Sequence, residues 1–154
     1  MSTLLKINAS LFSSHGQSSQ LTERFVAAWQ ASHPDTAVVS RDLAAEPVPH
    51  LDGARVTAFF AKPEERNAEQ KAVVDFSDAL IAELRAADTV VIGLPMYNFG
   101  VPSTLKAYFD HIARAGVTFQ YTAEGSKGLL TGKKAYILAA RGGRYAGTPK
   151  DSQT

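Results

Sequence analysis

Short apolar runs alternate along the chain with longer segments in which apolar residues recur every three or four positions. The first pattern is typical of strands and the second of helices. Residues 4–9, residues 89–94 and Lys134–Ala140 predict three strands, and the weaker run from Val38 to Leu43 predicts a fourth, at an edge. Because the run 89–94 is rich in Val and Ile and interrupted only by Gly93, it indicates a strand buried on both faces.

Three helices are predicted from the apolar stripes between these runs. The first follows a Ser-rich entry and ends before Pro34 and Asp35, and the second begins with a capping box formed by Asn67 and Gln70. The third has Pro102 as its first residue and stops at Gly116. The apolar stripes are Leu21, Phe25 and Trp29; Val73, Phe76, Leu80 and Leu84; and Leu105, Tyr108, Phe109 and Ile112.

This alternation of strands and helices predicts one α/β domain over residues 1–154, with a parallel sheet covered on both faces. Residues 117–131 leave the pattern as a hairpin excursion, with strands at 117–122 and 128–130. A sheet of this kind normally has a fifth strand and a covering helix, and nothing after Gly143 supplies them. We therefore expect this sequence to be part of a longer polypeptide, and Lys134–Ala140 to be an unpaired edge.

Composition excludes several classes of function. Sixteen Lys and Arg residues balance fifteen Asp and Glu residues and are scattered, so we expect no nucleic-acid partner. No apolar stretch approaches the roughly 18 residues of a membrane span, and no signal peptide is evident; a cytoplasmic protein without a membrane partner is expected. Cysteine is absent, and the histidines fit no zinc spacing, so no metal site is expected. We expect an exposed or capping role for each histidine: His15, His33, His50 and His111.

Unusual residues follow three of the predicted strands, at the sheet edge where ligands of open α/β sheets bind. The first segment runs from Ser10 to Ser18 and includes Gly16 and Gln17. Hydroxyls, a side-chain amide and free backbone N–H groups at a helix start are suited to a phosphate. The alternative is that Ser18 only caps the helix.

The other two segments are suited to a flat heterocycle. Residues 96–100 place two aromatic rings and an amide directly after the buried strand. Arg141 to Gly143 provide a glycine pair whose backbone can approach a ligand closely. Alternatively, Tyr97 and Phe99 only pack over neighbouring loops and the glycines form a plain turn. Together the three segments match the shape of a flavin mononucleotide.

Other nucleotide and enzyme classes lack their patterns here. There is no Walker loop and no glycine triplet after the first strand, which disfavours a triphosphate or a typical Rossmann dinucleotide. A response-regulator receiver needs acidic residues for Mg²⁺ beside the first strand, where Asn8 and Ser10 stand. A serine hydrolase needs a nucleophile elbow, which is not found.

The three segments and the residues around them resemble the FMN-dependent NADH azoreductases. The resemblance runs from the first strand to the last residue, and its central part is highly specific. It is carried by Gln17, Ser18, Gln20 and Leu21; by Met96, Tyr97, Asn98, Phe99, Pro102, Leu105 and Lys106; by residues 114–119; and by Arg141, Gly142 and Gly143.

The resemblance implies a flavodoxin-like homodimer with strand order 2-1-3-4-5, of which the fifth strand and last helix are missing here. It implies an enzyme in which FMN takes hydride from NADH or NADPH and passes two electrons to quinones or azo compounds by a ping-pong cycle. It implies that the flavin carries the chemistry, so no catalytic residue is named. A flavodoxin-type electron carrier, or an FMN-binding module without NADH-dependent activity, is the alternative.

The resemblance also assigns the site residues. The phosphate would be held by Ser10, Gly16, Gln17 and Ser18, although Gly16 stands where the family often has Ser. The flavin ring would be held by Met96, Tyr97, Asn98 and Phe99, and its pyrimidine edge by Ala140, Arg141, Gly142 and Gly143. The substrate pocket would be shaped by Phe99, Phe119 and Tyr121.

Overall fold

The predicted core strands form a parallel four-stranded sheet. A computed structural model describes residues 2–153 of the protein, and in it the sheet has the order β2-β1-β3-β6. This confirms the predicted order of the first four core strands. The sheet strands are β1 (Thr3–Asn8), β2 (Ala37–Asp42), β3 (Thr89–Pro95) and β6 (Lys134–Ala140), and a separate antiparallel hairpin consists of β4 (Phe119–Thr122) and β5 (Gly125–Gly128).

Strand β3 lies in the middle of the sheet and is buried on both faces, as its sequence predicts. Its residues pair with β1 on one side and with β6 on the other, so that Ile92 lies between Ile7 and Ile137. The outer edge of β6 pairs with no strand among residues 2–153, and Ile137 there is 62% exposed. Within the described part of the chain, β6 is therefore the open edge that the sequence predicts.

Helices cover both faces of the sheet. Alternate residues of β1 point to opposite faces: Leu4 packs with Val26 on one face, and Leu5 packs with Leu80 and Leu105 on the other. The helices are α1 (Gln17–Ser32), α2 (Gly53–Phe60), α3 (Ala68–Ala86) and α4 (Ser103–Ile112).

Helix α2 is absent from the sequence prediction. Its N-cap, Asp52, accepts a hydrogen bond from the Arg55 N–H at 2.9 Å, and Ala58 is buried. The segment follows Pro47 and Pro49, which indicate a loop, and a helix of only eight residues has few apolar positions with which to reveal a period. The capping box of α3 is confirmed: Asn67 accepts from the Gln70 N–H, and the Gln70 side chain accepts from the Asn67 N–H.

Several predicted boundaries differ from the structure: Pro102 is the N-cap of α4 rather than its first residue, and the first hairpin strand begins at Phe119 rather than at residue 117. Helix α4 ends at Ile112, before Gly116, and Gly116 instead adopts a φ of 77° in the turn that leads to β4. The second hairpin strand is Gly125–Gly128 rather than 128–130. A strand of glycine, serine and lysine lacks the apolar alternation on which a sequence prediction depends.

One histidine prediction is wrong. His111 is wholly buried rather than exposed or capping, with Phe59 and Phe76 edge-on to its ring at 6.0 Å each. Its Nδ1 lies 2.9 Å from the Ala107 carbonyl oxygen, while its Nε2 is buried without a hydrogen-bond partner. Burial lowers the pKa of His111, with Arg55 acting in the same direction, while the Ala107 carbonyl and the charges of Asp110 and Asp52 partly oppose it.

We predict that the chain loses stability as the pH falls from 7 to 5.5. His111 has a lower pKa folded than unfolded, so below about 6.5 the unfolded chain binds the extra proton and is favoured. The slope should reach at most about 1.4 kcal/mol per pH unit. Urea denaturation of the wild-type chain and of His111→Leu measures it: the slope should shrink in His111→Leu and persist in His50→Gln, whose histidine is exposed. An equal slope in all three proteins would contradict this role of His111.

Candidate functional site

The three segments singled out in the sequence meet at one edge of the sheet. Segments that follow β1, β3 and β6 line a cleft of about 240 Å³. Nine of the twelve predicted cofactor-binding residues line it, and Phe12 and Pro95 complete it. The nine are Ser10, Gly16, Gln17, Ser18, Met96, Tyr97, Ala140, Arg141 and Gly142.

The segment after β1 ends at an uncapped helix start. Gly16 is the N-cap of α1 and no side chain caps the helix, so the alternative in which Ser18 serves as the cap is wrong. The N–H groups of the first helical turn have no partner within the helix. Ser18 itself is 1% exposed, and its Oγ is buried without a hydrogen-bond partner. A buried hydroxyl without a partner beside free N–H groups is suited to an anionic ligand.

Gly16 and Ser10 are packed against each other. A Cβ atom at position 16 would lie 2.0 Å from Ser10 Oγ and 2.5 Å from Ser10 Cβ, so position 16 has no room for a side chain. Ser10 Oγ accepts a hydrogen bond from the Phe12 N–H at 3.2 Å and keeps its own proton for another acceptor. The Ser10 hydroxyl thus fills the space that a side chain at position 16 would need.

The segment after β3 forms a tight two-residue turn. Tyr97 and Gly100 exchange backbone hydrogen bonds of 3.1 and 3.0 Å, and the central residues Asn98 and Phe99 have φ values of 50° and 62°. Positive φ at both central positions matches the right-handed twist of a hairpin. Asn98 lies outside the cleft and lines an adjoining hollow of about 570 Å³, which shares Met96 and Tyr97 with the cleft.

Tyr97 and Phe99 both contact neighbouring loops. The Tyr97 hydroxyl oxygen accepts a hydrogen bond from the Leu11 N–H at 3.2 Å, which joins the first two segments. Phe99 packs edge-on against Tyr145 with ring centres 5.4 Å apart, and the Lys150 ammonium lies 5.7 Å from the Phe99 ring centre. Both aromatic side chains therefore pack over neighbouring loops, and Tyr97 also lines the cleft.

The segment after β6 is tied to β3 and leaves its glycine backbone open. The Met96 N–H donates to the Ala140 carbonyl at 2.8 Å, so the pairing of the two strands continues into the site. A Cβ at Gly142 would meet nothing within 4 Å, whereas one at Gly143 would touch the Tyr145 ring at 3.4 Å. Tyr145 thus covers Gly143 and Phe99, a role that no sequence pattern indicates because it depends on how the chain turns back after β6.

The hairpin residues lie elsewhere. Phe119 and Tyr121 line a second cavity of about 310 Å³ between α2, α4 and the hairpin, and this cavity shares no lining residue with the cleft. Arg114 also lines it, held 2.5 Å from Asp78 and 5.0 Å from the Phe59 ring centre. Within residues 2–153, the structure does not bring Phe99 together with the two hairpin aromatics.

The cleft is suited to binding rather than to acid–base catalysis. As far as residues 2–153 form it, its lining contains no carboxylate and no histidine, and Arg141 carries its only side-chain charge. No group of three or more His, Asp or Glu side chains in the described chain could hold a metal ion. None of the helices described has the length and apolar content needed to cross a membrane. The arrangement offers an uncapped helix start, aromatic side chains and open glycine backbone.

Comparison with known proteins shows the family of this chain. The family described as having the flavodoxin-like fold matches residues 2–154. An FMN-dependent NADH:quinone oxidoreductase of Cellvibrio japonicus is 61% identical over the whole chain, which spans 77% of that relative. A crystal structure of an azoreductase from Bacillus anthracis str. Sterne aligns with a TM-score of 0.90 at 33% identity, covering 99% of this chain and 74% of the other. An FMN-dependent NADH-azoreductase from Bacillus anthracis str. Ames Ancestor, solved in complex with FMN, aligns at 0.85 and 29% identity, covering 96% and 72%.

We predict that Gly16→Ala destabilises the chain through its contact with Ser10. Because the new Cβ would lie 2.0 Å from Ser10 Oγ, the first turn of α1 must shift, at a cost of about 1–3 kcal/mol. In a Ser10→Gly background the clash disappears, so Gly16→Ala should cost less there. Urea denaturation of the four proteins in this cycle measures the difference.

Gly53→Ala is the matched control for this cycle. It adds the same methyl group at the start of α2, where a Cβ would meet nothing within 4 Å, and should cost less than Gly16→Ala in the wild-type chain. If Gly16→Ala lowers the free energy of unfolding equally in the wild-type chain and in the Ser10→Gly background, the contact with Ser10 is not the cause of the destabilisation.

Proposed function

Because the chain belongs to the flavodoxin-like fold family, and within it to the FMN-dependent NADH:quinone oxidoreductases, we propose that it binds FMN and reduces quinones and azo compounds with electrons from NADH or NADPH. The observation that carries this proposal is the strand-end cleft, where an uncapped helix start, an aromatic turn and an open glycine lie together. These features are suited to the phosphate, the ring and the polar rim of a flavin, respectively.

The phosphate end fits the residues present. The buried Ser18 Oγ has no protein partner, Ser10 has a proton to donate, and no side chain competes for the first N–H groups of α1. A phosphate needs several donors and benefits from the positive end of the helix dipole. We assign Ser10, Gly16, Gln17 and Ser18 to this end, with Gly16 contributing its backbone alone.

The ring end has room and suitable contacts. The cleft and the adjoining hollow meet at Met96 and Tyr97, so a ligand can extend from the helix start along the turn past Asn98. Gly142 presents open backbone on the opposite side. We assign residues 96–99 to the flavin ring and residues 140–143 to its polar edge.

The chain's own residues bind and orient, and the cofactor supplies the redox chemistry. When bound, FMN would supply the transfer of hydride from a nicotinamide and of two electrons to an acceptor. Tyr97 ties its turn to Leu11, and the Met96–Ala140 hydrogen bond holds the turn against β6, so the two sides of the ring site keep a fixed spacing. No side chain in the cleft is placed as a general acid or base.

We also propose that acceptors are bound by aromatic residues and that the active species is a homodimer. Phe99 follows Asn98 in the turn after β3, while Phe119 and Tyr121 line the cavity beside α2. Phe60 at 81% exposure and Tyr121 at 76% form part of an exposed apolar surface around that cavity, as is typical of a subunit interface.

The cofactor proposal predicts that the protein takes up FMN and that NADH bleaches the bound flavin's visible absorption under anaerobic conditions. Gly142→Val should weaken FMN binding at least about tenfold, because Gly142 lines the cleft and a bulky side chain there would compete with the flavin for space. Titration of the apoprotein with FMN, followed by flavin fluorescence, measures the change.

Gly128→Val is the matched control, because it adds the same side chain in the hairpin strand β5 with nothing within 4 Å of its Cβ. Its FMN affinity should be unchanged. A wild-type protein that takes up no FMN contradicts the cofactor proposal. Bound flavin that NADH leaves oxidised favours the electron-carrier alternative, and equal affinities of the two valine variants contradict the role of Gly142.

The homodimer proposal predicts that Phe60→Glu lowers the mass of the particle in solution. A carboxylate introduced at an 81% exposed aromatic position costs little in the monomer and would be costly in an apolar interface. Light scattering measures the mass, with Leu21→Glu as the control on the exposed side of α1. Monomers throughout, or dimers that persist in Phe60→Glu, would contradict an interface at this surface.

A further inference from the structure

A small polar cluster is buried beneath the start of α1. Asn8 at the end of β1, Ser18 and Ser19 in the first turn of α1, and Thr22 in its second turn are all buried, in a layer otherwise filled by apolar side chains. Thr22 Oγ1 lies 2.7 Å from Asn8 Oδ1 and 2.7 Å from the Ser19 carbonyl oxygen. This hydroxyl therefore joins the last residue of β1 to the first turn of α1.

Both contacts use the one hydroxyl of Thr22. A threonine hydroxyl has one proton to donate, so it holds either the Ser19 carbonyl or the Asn8 side chain, and the other contact depends on the orientation of the Asn8 amide. The Ser19 carbonyl keeps its place in the hydrogen bonding of α1, so loss of the hydroxyl mainly leaves the buried Asn8 side chain without this partner, which is costly for a buried polar group. The first turn of α1 would then move to restore hydrogen bonding.

Strand β3 contacts the same cluster through Gly93, which has no side chain. A Cβ at Gly93 would lie 2.9 Å from Thr22 Cγ2, 3.0 Å from the Ser18 carbonyl oxygen and 3.2 Å from Asn8 Oδ1. The absence of a side chain at Gly93 thus allows α1 to lie directly on β3. Thr22 fixes α1 relative to β1, and Gly93 sets its distance from β3.

We propose that Thr22 is a positioning residue for phosphate recognition. Through the Ser19 carbonyl and Asn8, it holds the first turn of α1 in place, and this turn contributes Gln17 and Ser18 to the lining of the cleft. Thr22 does not line the cleft. This inference rests on the proposed binding of FMN and adds that recognition of its phosphate, separately from its ring, depends on a residue buried beneath the site.

The test compares FMN with riboflavin, which has the same ring and no phosphate. Dissociation constants are measured by flavin fluorescence for the wild-type apoprotein and for Thr22→Val, which keeps the shape and lacks the hydroxyl. FMN affinity should fall about tenfold, as expected for misplaced charge-assisted hydrogen bonds, while riboflavin affinity should change less than about twofold. Thr22→Ser, which keeps the hydroxyl, should retain the wild-type preference for FMN.

Two further variants make the result decisive. Thr22→Ala also lacks the hydroxyl and should lose the FMN preference even if Thr22→Val does not fold. Thr57→Val makes the same substitution on the exposed side of α2 and should change neither affinity. Equal losses for FMN and riboflavin, or unchanged FMN affinity in the folded Thr22 variants, would overturn the proposal. A wild-type protein that binds neither flavin would instead overturn the proposed function on which it rests.

Discussion

The hydrogen bonding of β3 on both sides is the constraint on which the rest of the structure depends. Because β1 and β6 both run parallel to it, all three strands end at the same edge. The pairing continues beyond the strands: the Ala9 N–H donates to the Gly93 carbonyl at 3.2 Å, and the Met96 N–H donates to that of Ala140. The three segments of the candidate site are therefore attached to one rigid element.

How much of this could be predicted depends on whether the signal is local. The strands around β3 and the capping box of α3 are encoded by adjacent residues, and the sequence predicts both. Tertiary contacts decide the rest. The burial of His111 depends on Phe59 of α2, a helix that follows two prolines and has no clear apolar periodicity. The solvent exposure of His111 therefore could not be predicted from the sequence of α4 alone.

The candidate site also combines features that the sequence predicts with features that depend on tertiary contacts. Strand ends of a parallel sheet must converge, so the meeting of Ser10, Met96 and Gly142 could be predicted from the order of the strands. The separation of Phe119 and Tyr121 from Phe99 could not, because it depends on where the hairpin packs. From the sequence alone, Gly16 is interpreted as the loss of the serine hydroxyl that the family often has at this position. In the structure it is a packing requirement, because the hydroxyl of Ser10 occupies that space.

Phe99 shows where the chain gives up stability. Few bulky residues adopt a φ near 62°, and the conformation costs about 1–3 kcal/mol relative to glycine. Glycine at this position would relax the turn, and the fold would gain from the exchange. It would also remove the ring that Tyr145 and Lys150 contact beside the cleft. Selection for thermostability would therefore favour glycine at position 99, and the gain in melting temperature would remove an aromatic ring that we propose contacts the flavin.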